Sequence, residues 1–263
     1  MEIIWTKTGK LDMHARVFVE RAPVSAPSVV LVHGLGVSGR YMIPTAEALS
    51  TEARVYVPDL PGFGRSAKPA RVLDVEELSN SLAAWMDSVG LEQCVFVANS
   101  FGCQVVVDLA ARRPERVTCA VLVAPTVDPR RRTATRQMLR FLLNIPRERL
   151  SLLPIAFADY LTAGIYRGWR TLRYALSDPV EEKLPLITMP ILIVRGGRDP
   201  IVPQDWAEEA ARLVRSTRLH VIPHAAHAVN HNSPEELARV VLSFLREQHE
   251  PDSILRSSEV VSL

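Results

Sequence analysis

The sequence predicts an α/β fold: a mostly parallel, eight-stranded sheet with helices on both faces and one helical insertion. Three observations carry this reading. Short uninterrupted apolar runs, the mark of strands buried on both faces, recur at 28–32, 54–58, 94–97, 119–123 and 191–195. Helix-patterned segments alternate with these runs in strict order through residue 123. The alternation then stops between 127 and 187, a stretch that patterns as helix alone.

Residues 2–8 and 12–20 alternate in polarity and read as an antiparallel pair of strands turning near Gly9-Lys10. Ser28-Val29-Val30-Leu31-Val32 is the first buried strand, and it runs into His33-Gly34-Leu35-Gly36. Flexible backbone at a strand's carboxyl end offers amides that could bind an oxyanion; a glycine turn leading to a helix around 46–49 is the competing reading. After the strand at 54–58 comes Asp59-Leu60-Pro61-Gly62-Phe63-Gly64-Arg65-Ser66, dense enough in Pro and Gly for a rigid, turn-rich loop. Asp74 caps a helix to about Val89, with Leu78, Leu82, Trp85, Met86 and Val89 at spacings of three and four, and Gly90 stops it.

The strand at 94–97 enters Ala98-Asn99-Ser100-Phe101-Gly102, and a helix begins at once, ended by Pro114. So tight a strand-to-helix turn demands small residues two before and two after its apex. Ala98 and Gly102 fill those places and put Ser100 at the apex. A serine that only caps the helix is the plain alternative.

Within 127–187, Arg130-Arg131-Arg132 leads into helical patterning at Met138, Leu139, Leu142 and Leu143, then an apolar segment over 150–161 and a further one over 166–176. An apolar helical cap over strand ends would enclose a hydrophobic pocket. The arginine run reads as a solvated face, with attraction of an anionic substrate tail the alternative. The strand at 191–195 leads to Gly196-Gly197-Arg198-Asp199-Pro200-Ile201-Val202-Pro203, a helix over 204–215, a strand at 219–222 and then His224-Ala225-Ala226-His227-Ala228-Val229-Asn230-His231. Pro234 opens the last amphipathic helix. The expected organisation is a core of 1–126 and 188–250, a helical cap of 127–187 and a flexible tail of 251–263.

Composition bounds the function. A chain of 263 residues, 48% hydrophobic, can bury one large core. The balance of 31 basic against 29 acidic side chains argues against a dedicated nucleic-acid surface. Cys94, Cys103 and Cys119 are odd in number and set in apolar runs, which fits free buried thiols in a reducing compartment; they lack metal-ligand spacing, so no metal site is expected. The N-terminus shows no basic region followed by a long apolar core, and no stretch nears the roughly 18 apolar residues of a membrane span. The expectation is a cytoplasmic protein without a membrane span.

Four sites fall at carboxyl ends of predicted parallel strands: His33 to Gly36, Ser100, Asp199 and His227. Such ends lie along one edge of an open sheet, where ligands bind. With these residues in place the chain resembles the α/β-hydrolase family, over nearly all of residues 1–250. The carriers are His33-Gly34-Leu35-Gly36, the loop from Asp59 to Ser66, the turn from Ala98 to Gly102, the loop from Gly196 to Pro203, and His227 with Pro234 beyond it. Ala98 departs from the family's G-x-S-x-G pattern at its first glycine.

The resemblance implies Ser100 as nucleophile, His227 as general base and then acid, and Asp199 as the carboxylate that orients the imidazole. It places the oxyanion hole at the backbone amides of Leu35 and Phe101, and the substrate pocket against His33, Gly34, Asn99 and Trp169. Asp128 is a second candidate for the acid, and His224 and His231 flank His227. A serine in place of aspartate argues against dehalogenase or epoxide hydrolase chemistry. The implied activity is hydrolysis of a carboxylic ester or thioester of a small to medium hydrophobic substrate through an acyl-enzyme, with no cofactor. Carbon–carbon bond hydrolysis of the meta-cleavage product type is the alternative, suggested by Asn99, Arg167 and Trp169, and a non-catalytic small-molecule receptor is the alternative of another class.

Overall fold

The apolar runs become the inner strands of one sheet. In the computed structural model, which describes residues 1–249 and so leaves the expected tail at 251–263 outside them, β1 (Glu2–Thr8) and β2 (Leu11–Phe18) form an antiparallel hairpin. Next come β3 (Ser28–Val32), α1 (Ile43–Leu49), β4 (Arg54–Pro58), α2 (Val75–Ser88), β5 (Cys94–Asn99), α3 (Phe101–Arg112) and β6 (Val117–Val123). Between β6 and the next strand lie four helices, α4 (Ala134–Asn144), α5 (Leu152–Ala163), α6 (Ile165–Ser177) and α7 (Val180–Lys183). The chain then returns through β7 (Ile191–Gly196), α8 (Gln204–Leu213), β8 (Thr217–Ile222), α9 (Val229–Asn232) and α10 (Pro234–His249).

The sheet runs β1-β2-β4-β3-β5-β6-β7-β8. β2 pairs antiparallel with β4, and the other inner pairings are parallel, so the expected mostly parallel eight-stranded α/β-hydrolase sheet is the one observed. Alternate residues of the inner strands feed two cores. Val30, Phe96, Ala120 and Ile193 pack with α2, α3 and α8; Val29, Val95, Val121 and Leu192 pack with α1 and α10. Burial on both faces is why these strands read as continuous apolar runs.

The site follows from topology. β3 is hydrogen-bonded to β4 on one side and β5 on the other. The chain leaves β3 toward β4 and later crosses to β5, so the loops at their carboxyl ends diverge and open a crevice between them. The turn at Ser100 and the loop after His33 are the two walls of that crevice.

The helical insertion is tied down over the sheet. Arg130 pairs with Asp128 at 3.0 Å and with Asp205 of α8 at 3.2 Å, Arg131 reaches Asp205 at 3.2 Å, and Arg132 pairs with Glu181. The arginine run is therefore paired rather than a free solvated face: Arg130 and Arg131 join the insertion to α8, and Arg132 ties its start to its own last helix, α7. On the opposite side Asp159 accepts hydrogen bonds from the Ser38 amide and hydroxyl at 2.9 and 2.7 Å. No helix among the described residues is long and apolar enough to cross a membrane.

Candidate active site

Ser100 stands between β5 and α3 at φ 57°, ψ −121°. A side chain with a Cβ rarely holds this region, and a residue kept there points its side chain away from both flanking elements. Gly102 explains how the helix can start so soon. A Cβ there would sit 2.6 Å from the carbonyl oxygens of both Val32 and His33, so only glycine lets α3 lie this close to the end of β3.

Asn99 holds the surrounding loops. Its Oδ1 accepts from the Tyr41 hydroxyl at 2.7 Å, and that hydroxyl accepts from the Gly34 amide at 2.9 Å. Its Nδ2 donates to the carbonyls of Val123 and His227, both at 3.2 Å. One buried amide thus joins the loop after β3, the end of β6 and the histidine loop to the turn that carries Ser100.

Asp199 and His227 meet because two glycines let their loops touch. A Cβ on Gly196 would lie 2.1 Å from the Ala226 carbonyl, and one on Gly197 would lie 2.4 Å from that of Pro223. Asp199 Oδ1 accepts from the amides of Ile201 and Val202 at 2.7 and 3.1 Å, which leaves Oδ2 to accept from His227 Nδ1 at 2.8 Å. Arg195 braces the loop through the carbonyls of Val202 and Asp199, at 2.7 and 3.0 Å. Burial pulls the His227 pKa down, but the charge and hydrogen bond of Asp199 outweigh it, with Glu148 adding to them, so the imidazole binds its proton more tightly than usual.

Glu148, in the connection between α4 and α5, accepts at Oε1 from the Ala228 amide at 3.1 Å and from Asn144 Nδ2 at 2.6 Å; its Oε2 accepts from Asn232. The neighbouring Ser151 hydroxyl lies 3.1 Å from His231 Nε2. The insertion is therefore joined to the residue that follows His227.

Of these groups, Tyr41, Asn99, Ser100, Glu148 and His227 line one cavity of about 480 Å³. Its lining includes Gly34, Leu35, Asn99, Ser100, Phe101 and His227 from the core and Phe141, Tyr160 and Trp169 from the insertion. Phe101 opens α3, so its amide has no acceptor within the helix. His33 is placed differently from the sequence expectation. It lies fully buried outside the lining, its Nε2 accepting from the Leu60 amide at 2.9 Å and its Nδ1 donating to the Gly34 carbonyl at 2.9 Å. Burial lowers its pKa and keeps it neutral in that role, which is to lock two loops together.

Of the competing candidates, Asp128 is spent on Arg130 and Arg131, and His224, with its side chain 66% exposed, pairs with Glu236. Arg167 donates to the Pro69 carbonyl at 2.8 Å and is absent from the cavity lining. The three cysteines are buried and free; burial pushes the thiols of Cys94 and Cys119 up to about 12 and that of Cys103 well above its ordinary value, so none is poised to react. Tyr41, Glu148 and Arg195 escaped the sequence reading. Each acts through partners distant in sequence or through backbone atoms, and neither leaves a local pattern.

The chain and its fold have known counterparts. Residues 29–240 match the model of the Alpha/beta hydrolase family. The chain is 26% identical over 264 residues to carboxylesterase YbfK of Bacillus subtilis, covering 91% of this chain and 86% of that one. It is 27% identical over 237 residues to the dihydrolipoyllysine-residue acetyltransferase component of the acetoin cleaving system of Pseudomonas putida, covering 83% of this chain but only 63% of that longer one. An esterase structure from Thermogutta terrifontis superposes with a TM-score of 0.78 at 22% identity, over 95% of this chain and all of that one, which speaks to the fold. With a match over this span, the chain belongs to the alpha/beta hydrolase family.

Proposed function

We propose that the protein hydrolyses a carboxylic ester or thioester of a small to medium hydrophobic substrate, with Ser100 as nucleophile. The observation that carries the reading is that His227, hydrogen-bonded to Asp199 at 2.8 Å, lines the same cavity as a serine held at positive φ. Ser100 Oγ attacks the acyl carbonyl and His227 Nε2 takes its proton, while Asp199 holds the Nδ1 proton and stabilises the imidazolium. The oxyanion is received by the amides of Leu35 and Phe101. His227 then gives the proton to the departing alcohol or thiol, and finally activates water to release the acid and restore Ser100.

Insertion and core together make the insertion a cap: an apolar lining over the serine favours hydrophobic acyl or alcohol groups. Likeness to a carboxylesterase supports the reaction class. The carbon–carbon hydrolase alternative loses one of its residues, because Arg167 is held by Pro69 outside the cavity.

Turnover of a p-nitrophenyl ester series from acetate to long acyl chains tests the proposal, with Ser100→Ala as control. The expected result is a maximum at one chain length and a loss of roughly three orders of magnitude or more in the variant. Ester turnover that survives in Ser100→Ala, or none in the unaltered protein, would overturn it.

A further inference from the structure

The outer face of the cap is unusually apolar. Of the seventeen large hydrophobic side chains exposed among the described residues, twelve lie between 138 and 169. On α5, Leu153, Phe157 and Leu161 recur every fourth residue and form one exposed stripe, the last two 67% and 68% exposed. Ile165 follows at 93% exposed. Leu153, Ile165 and Trp169 also line the cavity, so this surface surrounds its mouth. Scattered leucines on a surface need no explanation, but a contiguous apolar face around a cavity mouth does.

Charge says what covers it. Between 127 and 187 there are eleven Lys and Arg against six Asp and Glu, whereas the rest of the chain has 20 against 23. The surplus is outward-facing: Arg136, Arg147, Arg149 and Arg173 are exposed, and among the described residues none reaches a carboxylate, unlike the run 130–132, which is fully paired. Two copies meeting through this face would bring like charges together. A surface that is anionic outside and apolar just beneath satisfies both features at once.

We propose that the cap docks on an anionic lipid surface. Phe157, Leu161 and Ile165 enter the boundary between headgroups and acyl chains, and the unpaired arginines meet headgroup phosphates, as in helices that lie in a membrane interface. Docked this way, the cavity mouth opens toward the lipid, and a hydrophobic molecule dissolved there reaches Ser100 without crossing water.

Co-sedimentation with vesicles tests this without any turnover, so its outcome is independent of the proposed hydrolysis. Binding is expected on phosphatidylcholine vesicles containing about one third phosphatidylglycerol, and to be roughly 10-fold weaker on pure phosphatidylcholine or in high salt. Phe157→Ser with Leu161→Ser is expected to weaken it roughly 10-fold or more, and Arg136→Ser with Arg173→Ser by a similar factor, with circular dichroism unchanged. Absence of binding to the mixed vesicles, or binding that neither pair of substitutions weakens, would overturn the proposal. So would a self-association in solution that the Phe157 and Leu161 pair abolishes while vesicles are ignored.

Discussion

At the scale of single residues, the role proposed for His227 as general base predicts the pH dependence. Burial alone would make it neutral, yet the Asp199 carboxylate and the Glu148 charge raise its pKa above the ordinary 6.5. A general base must be unprotonated, so kcat/KM falls as pH drops through that raised value, and the acid limb should have its midpoint above 6.5. Asp199→Asn removes the main raising influence; a pH–rate profile should show the limb moving to lower pH, with a rate loss of roughly 10⁴ at neutral pH as the tautomer is no longer fixed. Asn99 makes a second prediction. Asn99→Ala leaves the Tyr41 hydroxyl without its acceptor and the His227 carbonyl without its side-chain donor, while the Val123 carbonyl keeps the Ser100 amide at 2.9 Å, so urea unfolding should show a loss of about 1–3 kcal/mol. The nucleophile, acid and base candidates were legible because each sits in a local backbone pattern, strand to turn to helix or strand to glycine loop. Asn99's task was not, since its partners lie 58 and 128 residues away.

At the scale of elements, the connection between α4 and α5 couples the insertion to the histidine loop. Glu148, Arg149 and Ser151 all meet residues between Ala228 and Asn232, including the short helix α9, for which the sequence reading gave no element. Four helical residues are too few to leave a periodic signal. The coupling is both electrostatic and mechanical, and two substitutions separate these. Glu148→Gln keeps an oxygen for the Ala228 amide but removes the charge, so the acid limb of kcat/KM should move to lower pH with kcat little changed on its plateau. Glu148→Ala removes the acceptor as well, frees the backbone beside His227 and should lower plateau kcat by roughly 10-fold or more, the cost of a misplaced base. An acid limb identical in Glu148→Gln and the unaltered enzyme would show that this carboxylate does not act on His227.

At the scale of the whole molecule, the alternation of apolar runs and helical patterns made the sheet legible, because strands buried on both faces have no other way to be written. What sequence leaves hidden is that the antiparallel hairpin, paired to β4 through β2, is also fastened by a buried charge, Asp59. From the end of β4 its Oδ1 accepts from Arg16 of β2 at 2.9 Å and from the Gly39 amide at 2.8 Å; its Oδ2 accepts from His14 at 2.9 Å and the Arg65 amide at 3.0 Å. Next to Gly39, Ser38 continues the chain of bonds to Asp159 of the insertion. The loop at 59–66 was readable as a rigid turn, but its buried charge pairs with residues 43 and 45 positions earlier, beyond the reach of any local pattern. Burial raises the pKa of this carboxyl, and the hydrogen bond from His14 with the charge of Arg16 overcomes that and holds it well below the usual range. A depressed carboxyl pKa contributes stability that is present above the unfolded value of about 3.9 and is lost as pH falls through the lower folded value. Asp59→Ala strands the Arg16 guanidinium, which is 4% exposed as a residue, without its counter-charge. Urea unfolding at neutral pH should therefore show a loss of about 3–5 kcal/mol, through a lower midpoint at unchanged slope. The difference from the unaltered protein should shrink below about pH 4, where the carboxylate's own contribution is being lost. A loss under about 1 kcal/mol would mean that strand pairing and packing, without this charge, hold the hairpin to the sheet.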